Sequence, residues 1–241
     1  MSQSAGAISE RAVVVGGVRL ATAVNTVPRE QLARPPLVVL PAANHAWGDY
    51  RPVLERFAGE RRVAALDWPG FGNSDRPSPA LYSYSATSYA ALLATWMDAL
   101  GMARAVFVAH SVGAAAALRL ALDHPERVAG LALVAPAGFT PPGVRRALAC
   151  RALGTPRLLA ALEPALTALY LAPANPATRA ILAEQRAARA AADHHASIAA
   201  YAALWRSFDR PAADLRAAVR SVTAPAIILR GALDPICTAA D

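Results

Sequence analysis

Short apolar runs recur through the first half of the chain, separated by segments whose apolar residues fall at helical spacing. β-branched runs at residues 12–15 and 18–24 flank Gly16-Gly17, the pattern of a tight β-hairpin. Residues 37–40 (Leu-Val-Val-Leu) and 63–66 (Val-Ala-Ala-Leu) are apolar without interruption, as strands buried on both faces are. Between them, residues 49–58 place Tyr50, Val53, Leu54 and Phe57 on one helical face. A helix over 87–100, closed by Gly101, a strand over 105–109, a helix over 112–122 and a strand over 131–135 follow. This alternation predicts the α/β class, with a mostly parallel sheet flanked by helices.

The alternation stops at residue 139. From there to 222 no strand pattern occurs, and Pro142, Pro156, Pro164, Pro173, Pro176 and Pro211 divide the segment. Each proline is expected to start or stop a helix, because it lacks an N–H and crowds the preceding turn. A strand returns at 226–229. The predicted organisation is therefore a core over 1–138, an inserted all-helical cap over 139–222, and a return to the core over 223–241.

Composition narrows the function classes. With 55% hydrophobic and 17% charged residues, the 241-residue chain has the material for a packed core and is not a disordered polyelectrolyte. All 24 basic residues are Arg, and the net charge is +7. Residues 139–222 carry 11 Arg against five acids, so most of the excess belongs to the predicted cap. That excess is read as a solvated helix face, with attraction of anionic substrates or a lipid surface left open; no nucleic-acid partner is expected. No apolar run is long enough to span a membrane, and residues 1–10 lack a signal-peptide pattern. Only Cys150 and Cys237 could form a disulfide, far too few for a framework, so a cytoplasmic, reducing setting is expected. His194 and His195 are adjacent and would diverge by about 100° on a helix, which does not suit a metal. No phosphate-cradling glycine loop is present either, and no cofactor is expected.

The sharpest chemical signal is Phe107-Val108-Ala109-His110-Ser111-Val112-Gly113, between a predicted strand and a predicted helix. A strand that turns sharply into a helix needs small residues beside the apex, here Ala109 and Gly113. The serine at the apex then stands above the sheet beside helix N-terminal amides, positioned as a nucleophile. A serine that merely caps a βα helix would give the same triplet.

In this context the chain resembles the α/β-hydrolases of the capped, serine-hydrolase type, over nearly its whole length. Asp67-Trp68-Pro69-Gly70-Phe71-Gly72-Asn73-Ser74 is similar to the family's D-x-P-G-x-G-x-S turn, in which Asp67 and Ser74 are read as structural. His124-Pro125-Glu126-Arg127-Val128 resembles the link from the elbow helix to the next strand, with His124 as a helix-end residue. Gly231, Asp234 and Pro235 resemble the turn that carries the acid of a Ser-Asp-His triad, although an Asp-Pro turn without that role would look alike. The resemblance implies Ser111 and Asp234 as catalytic residues. It places an oxyanion hole at the backbone amides of Ala43 and Val112, and the bond cleaved would be an ester, lactone or related acyl bond, a C–C bond included, of a small, mainly apolar substrate.

Two departures qualify it. The oxyanion loop reads Pro41-Ala42-Ala43-Asn44-His45 where the family pattern begins His-Gly. The five histidines, His45, His110, His124, His194 and His195, all precede Asp234. The family histidine would lie roughly 20–30 residues beyond Asp234, after one more helix and strand. The chain is therefore expected to be truncated, to hydrolyse poorly, and to leave its last strand as a bare edge open to self-association. A non-catalytic small-molecule-binding protein and an inactive fragment are the alternatives. His45, His194 and His195 are read as a loop polar residue and two solvated helix residues.

Overall fold

A computed structural model describes residues 6–27, 33–171, 175–232 and 234. Strands β1 (Ile8–Val15) and β2 (Val18–Asn25) form the expected hairpin, with Val15 opposite Val18 across Gly16-Gly17. Strand β3 is Leu37–Leu40, β4 Val63–Leu66, β5 Ala105–His110, β6 Val128–Val134 and β7 Ala226–Leu229. They assemble in the order β1-β2-β4-β3-β5-β6-β7. Among the described residues only the β1–β2 and β2–β4 pairs are antiparallel. The chain thus adopts the mostly parallel, helix-flanked sheet that its pattern predicts.

Side chains alternate between the two faces of a strand, and both faces are covered here. Val38, Leu40, Ala64 and Leu66 face helices α2 (Ala86–Ala99) and α3 (Val112–Asp123), where Leu93, Trp96, Met97 and Leu118 complete the larger core. Leu37, Val39, Val63 and Ala65 face the other way, onto Leu54 and Ala58 of α1 (Arg51–Ala58). This double coverage is why β3 and β4 contain no polar residue, and each buried Leu or Val adds about 1.5–3 kcal/mol. In α3 the run of residues 114–117 is all alanine and fully packed, so the helix can lie close to β5 and α2.

Element boundaries shift where local chemistry intervenes. The helix expected from residue 49 starts as a 3-10 turn at Trp47–Tyr50, and α1 begins at Arg51 with Pro52 in its first turn, where no N–H is needed. Helix α2 begins after Ser85, whose hydroxyl accepts the Ser88 N–H at 3.1 Å. Strand β6 starts at Val128 rather than 131, since Val128 pairs with Ala105 and Gly130 with Val106, with a register shift of one residue at Ala129.

Between β6 and β7 lie α4 (Val144–Leu153), α5 (Pro156–Tyr170), α6 (Pro176–Ala190) and α7 (His194–Ser207). Pro156 and Pro176 open their helices as expected, but Pro164 lies inside α5 and neither starts nor stops it. Its ring is on the exposed side, so the Ala160 carbonyl left without an N–H donor is open to water and the helix continues. Pro173 and Cys237 fall outside the described residues. Helix α7 carries the attachment to the core. Its Ala200 and Leu204 join the larger core, while Ile198 and Ala202 pack with Leu159 of α5. Arg76 adds a polar tie, donating to the Gly72 carbonyl at 2.7 Å and the Ser197 hydroxyl at 2.8 Å while pairing with Asp193 at 3.2 Å.

Candidate active site

Ser111 stands between the last residue of β5 and the first of α3, with φ 52° and ψ −116°. A residue with a Cβ held there costs about 1–3 kcal/mol and persists only where the surroundings dictate it. Three backbone bonds do so: Ser111 N–H to the Val134 carbonyl at 3.0 Å, and Ala137 N–H and Ala115 N–H to the Ser111 carbonyl, both at 3.1 Å. Gly113 is required by proximity. A Cβ on it would lie 2.7 Å from the carbonyl oxygens of both Leu40 and Pro41, so the start of α3 rests directly on the end of β3. Ala109, in the place of the first glycine of the usual elbow pattern, is fully buried.

The loop after β3 is fixed from three directions. Pro41 accepts the Trp68 indole N–H at 2.8 Å, and Trp68 stacks on Tyr89 with 4.5 Å between ring centroids. The Ala42 N–H donates to the Tyr50 hydroxyl at 3.1 Å, which in turn lies 2.7 Å from His110 Nδ1. Burial holds the Tyr50 phenol protonated. Burial, reinforced by His45 and opposed by Asp234, pulls the His110 pKa down to about 4. His110 is therefore neutral near pH 7, with Nδ1 accepting from Tyr50 and the proton on Nε2. One hydroxyl thus joins the loop to the residue preceding Ser111.

Asn44 continues this loop with φ 60° and connects it to the helices above. Its side-chain N–H donates to Glu163 Oε1 of α5 at 2.9 Å, and its carbonyl accepts from Gln185 Nε2 of α6 at 2.6 Å. Ala43, Asn44 and His45 border a cavity of about 40 Å³, roofed by Glu163, Leu166 and Tyr201 among others. That space accommodates a few water-sized groups. His45 Nδ1 lies 2.5 Å from Asp49 Oδ2, an arrangement in which the imidazole N–H donates to the carboxylate.

The Asp67 turn lies beneath. Asp67 accepts the Trp47 N–H at 2.6 Å and the Asn73 N–H at 2.8 Å, and Ser74 Oγ donates to the Asp67 carbonyl at 2.7 Å. Gly72 (φ 53°) leaves room for this carboxylate, since a Cβ there would lie 2.0 Å from Oδ2. Burial raises the Asp67 pKa to about 7 against the pull of the two amides. Its bonds are to backbone, which agrees with a structural reading.

The structure brings Ser111, Val112 and the Ala43 loop together at one end of the sheet, and Asp234 is close enough for its charge to act on His110. His124 ends α3 as expected, with an exposed side chain. His194 does not lie on a solvated face. Its side chain is 21% exposed and turns inward, with Nε2 3.5 Å from Glu163 Oε2. His45 likewise faces Asp49 and the cavity. Tyr50, Asp49, Glu163 and Gln185 escape sequence reasoning. Only Asp49, four residues after His45, carried a local signal. Among the described residues no three His, Cys, Asp or Glu side chains form a metal-binding group, and no helix is long and apolar enough to cross a membrane.

This elbow, loop and sheet define a class, and the chain belongs to it: the alpha/beta hydrolase fold family matches residues 35–237. Among curated proteins it is similar to a 2-hydroxymuconate semialdehyde hydrolase of Pseudomonas sp. (strain CF600), 41% identical over 97 residues, covering 40% of this chain and 34% of that protein. It is also similar to a putative carbamate hydrolase of Klebsiella pneumoniae, 39% identical over 103 residues, covering 41% of this chain and 37% of that protein. The matches thus cover about a third of these relatives' length. Among solved structures, the enol-lactonase from Burkholderia xenovorans LB400 superposes with a TM-score of 0.76 at 25% identity, over 95% of this chain and 84% of that one.

Proposed function

We propose that the chain carries the nucleophile half of a serine hydrolase site acting on an ester, lactone or related acyl compound, including one cleaved at a C–C bond. The observation that carries this is Ser111 at φ 52° on the β5–α3 junction, beside the loop that borders the cavity. Ser111 Oγ attacks the acyl carbon, and the backbone amides of Ala43 and Val112 hold the developing oxyanion. The helices over 139–222 act as a cap, and Leu166, Leu171 and Tyr201 give the cavity a mainly apolar wall. A wall of that character suits a small acyl group of a substrate, and no cofactor takes part. The names of the similar proteins, a semialdehyde hydrolase, a carbamate hydrolase and an enol-lactonase, support hydrolysis.

In this mechanism the serine proton passes to a histidine oriented by Asp234. No histidine follows Asp234 in these 241 residues. The cavity itself supports a second reading, a protein that binds a small apolar molecule against Leu166, Leu171 and Tyr201 without turnover.

Hydrolysis of an activated p-nitrophenyl ester separates the two. A slow turnover abolished by Ser111→Ala supports the nucleophile. Turnover unchanged by that substitution removes it, and ester binding without any turnover favours the binding protein.

A further inference from the structure

Helix α5 breaks the usual division of a surface helix into an apolar inner side and a polar outer side. Its inner side holds Leu159, Glu163 and Leu166, against α7 and the cavity. Between Leu158 and Leu169 every exposed residue is Leu, Ala or Pro. Leu158, Leu162, Ala165 and Leu169 recur at three-, four- and seven-residue steps, which gathers them within about 60° of the helix circumference. Helix α6 shows the contrast, since Arg179, Glu184 and Arg186 are among its exposed residues.

Helix α4 extends this face. Joined through Gly154-Thr155, α4 and α5 pack on each other and both on α7, so their outward sides share the face of the cap turned away from α7. Val144 and Leu148 stand on that side of α4, one turn apart. Leu148 and Leu169 are 61% and 63% exposed, which leaves them almost free of the cap's own packing. Three exposed arginines accompany these side chains, Arg145 and Arg151 on α4 and Arg157 at the start of α5. Arg146 is turned aside and donates to the Thr140 carbonyl. The sequence of the two helices contains one acid, Glu163, and it is buried. No carboxylate on either helix therefore offsets the arginines.

An exposed apolar patch edged by cations restricts its partner by chemistry. A second copy meeting the same face about a twofold axis would set arginine against arginine. A nucleic acid would use the arginines and leave the leucines in water. A bilayer with anionic headgroups uses both, because the leucines reach the acyl boundary while each guanidinium stays at the phosphates. We propose that the α4–α5 face of the cap docks on anionic lipid membranes as a peripheral contact. This face is on the other side of α5 from Glu163 and Leu166, so it is distinct from the cavity and does not require Ser111 to be a nucleophile.

Vesicle flotation tests this, since protein aggregated through β7 does not rise unless it binds lipid. The full chain is mixed with phosphatidylcholine vesicles, with or without phosphatidylglycerol, at low and at physiological salt. Binding to the anionic vesicles at low salt is expected to be about a hundredfold tighter, the combined effect of three arginines at a charged surface, and salt should weaken it. Replacing Arg145, Arg151 and Arg157 by Gln should remove that advantage. Leu148→Gln together with Leu169→Gln should weaken binding about tenfold or more, and an unchanged melting temperature shows that folding is not the cause. Ala161→Leu enlarges the same face and should tighten binding in a chain that melts as the wild type does. Ile228→Lys, which blunts the β7 edge, should float like the wild type.

A chain that stays at the bottom with both kinds of vesicle overturns the proposal and leaves the face to a protein partner with acidic groups. Flotation equal for both vesicles and insensitive to salt overturns it too, as does flotation unchanged in the arginine and leucine variants. Flotation lost in Ile228→Lys also overturns it, by assigning the contact to β7.

Discussion

Tyr50 is the residue on which the candidate site most depends without taking part in the proposed chemistry. Its hydroxyl satisfies two buried groups at once, the Ala42 N–H and His110 Nδ1. Tyr50→Phe would keep the ring and leave both groups without partners, at about 1–3 kcal/mol each. A melting temperature lower by about 2–4 °C per kcal/mol is expected for a domain of this size. The loop that presents the Ala43 amide would also lose its link to the elbow. Where Ser111-dependent ester turnover is measurable, kcat should fall by about tenfold with KM little changed, because an oxyanion contact counts mainly in the transition state. A stability loss with kcat intact would make Tyr50 a packing residue only. Gly113→Ala acts through sterics. Its Cβ would press on two backbone carbonyls, which cannot swing aside as a side chain can. Turnover and thermal stability are both expected to drop, and a variant equal to the wild type in both would contradict the close seating of α3 on β3.

At the scale of elements, legibility followed sequence distance. The elbow can be read locally, since β5, Ser111, Gly113 and α3 fall within a few residues, and β3, β4 and β7 lie where unbroken apolar runs predict them. The contacts that shape the cavity are not local. Tyr50 meets His110 across 60 residues, and Asn44 meets Glu163 across 119, and no periodicity encodes such pairs. His194 reads as solvated from the sequence because its neighbours are polar or small, yet α7 docks by the face that carries it inward. Pro164 sits inside α5 for a related reason, since a proline stops a helix only where the lost bond cannot be made good.

Strand β7 matches its predicted span but differs from β3 and β4 in its setting. It pairs only with β6 among the described residues, and Ile227, Ile228 and Leu229 are 56%, 55% and 50% exposed. An apolar strand at a sheet edge offers its free backbone groups to another chain. This chain on its own is expected to elute from size exclusion as larger species as its concentration rises, and Ile228→Lys should reduce that. Elution as a monomer at every concentration would show the edge to be shielded.

For the whole molecule, two buried groups give opposite responses to pH. The Asp67 pKa is raised from 3.8 to about 7. Between those values the folded chain holds a proton that the unfolded chain has released, so stability from this group falls as pH rises from about 4 to about 7. The His110 pKa is lowered from 6.5 to about 4. Here the unfolded chain takes up the proton first, so the stability is full above 6.5 and is lost as pH falls toward about 4. The two slopes occupy nearly the same window and oppose each other, so together they flatten the wild-type profile. His110→Asn should expose the Asp67 limb, giving a melting temperature that decreases with pH across the window relative to the wild type. Asp67→Asn lowers stability overall, since its NH2 must face one of the two backbone N–H groups that the carboxylate accepts. Its slope against the wild type should nevertheless be positive. The other titrating groups are common to all three proteins, so the difference between profiles isolates each limb. Parallel melting curves from pH 4 to 7 would mean that neither group changes its protonation on folding, and that the loop and turn beneath Ser111 are more open to water than their burial implies.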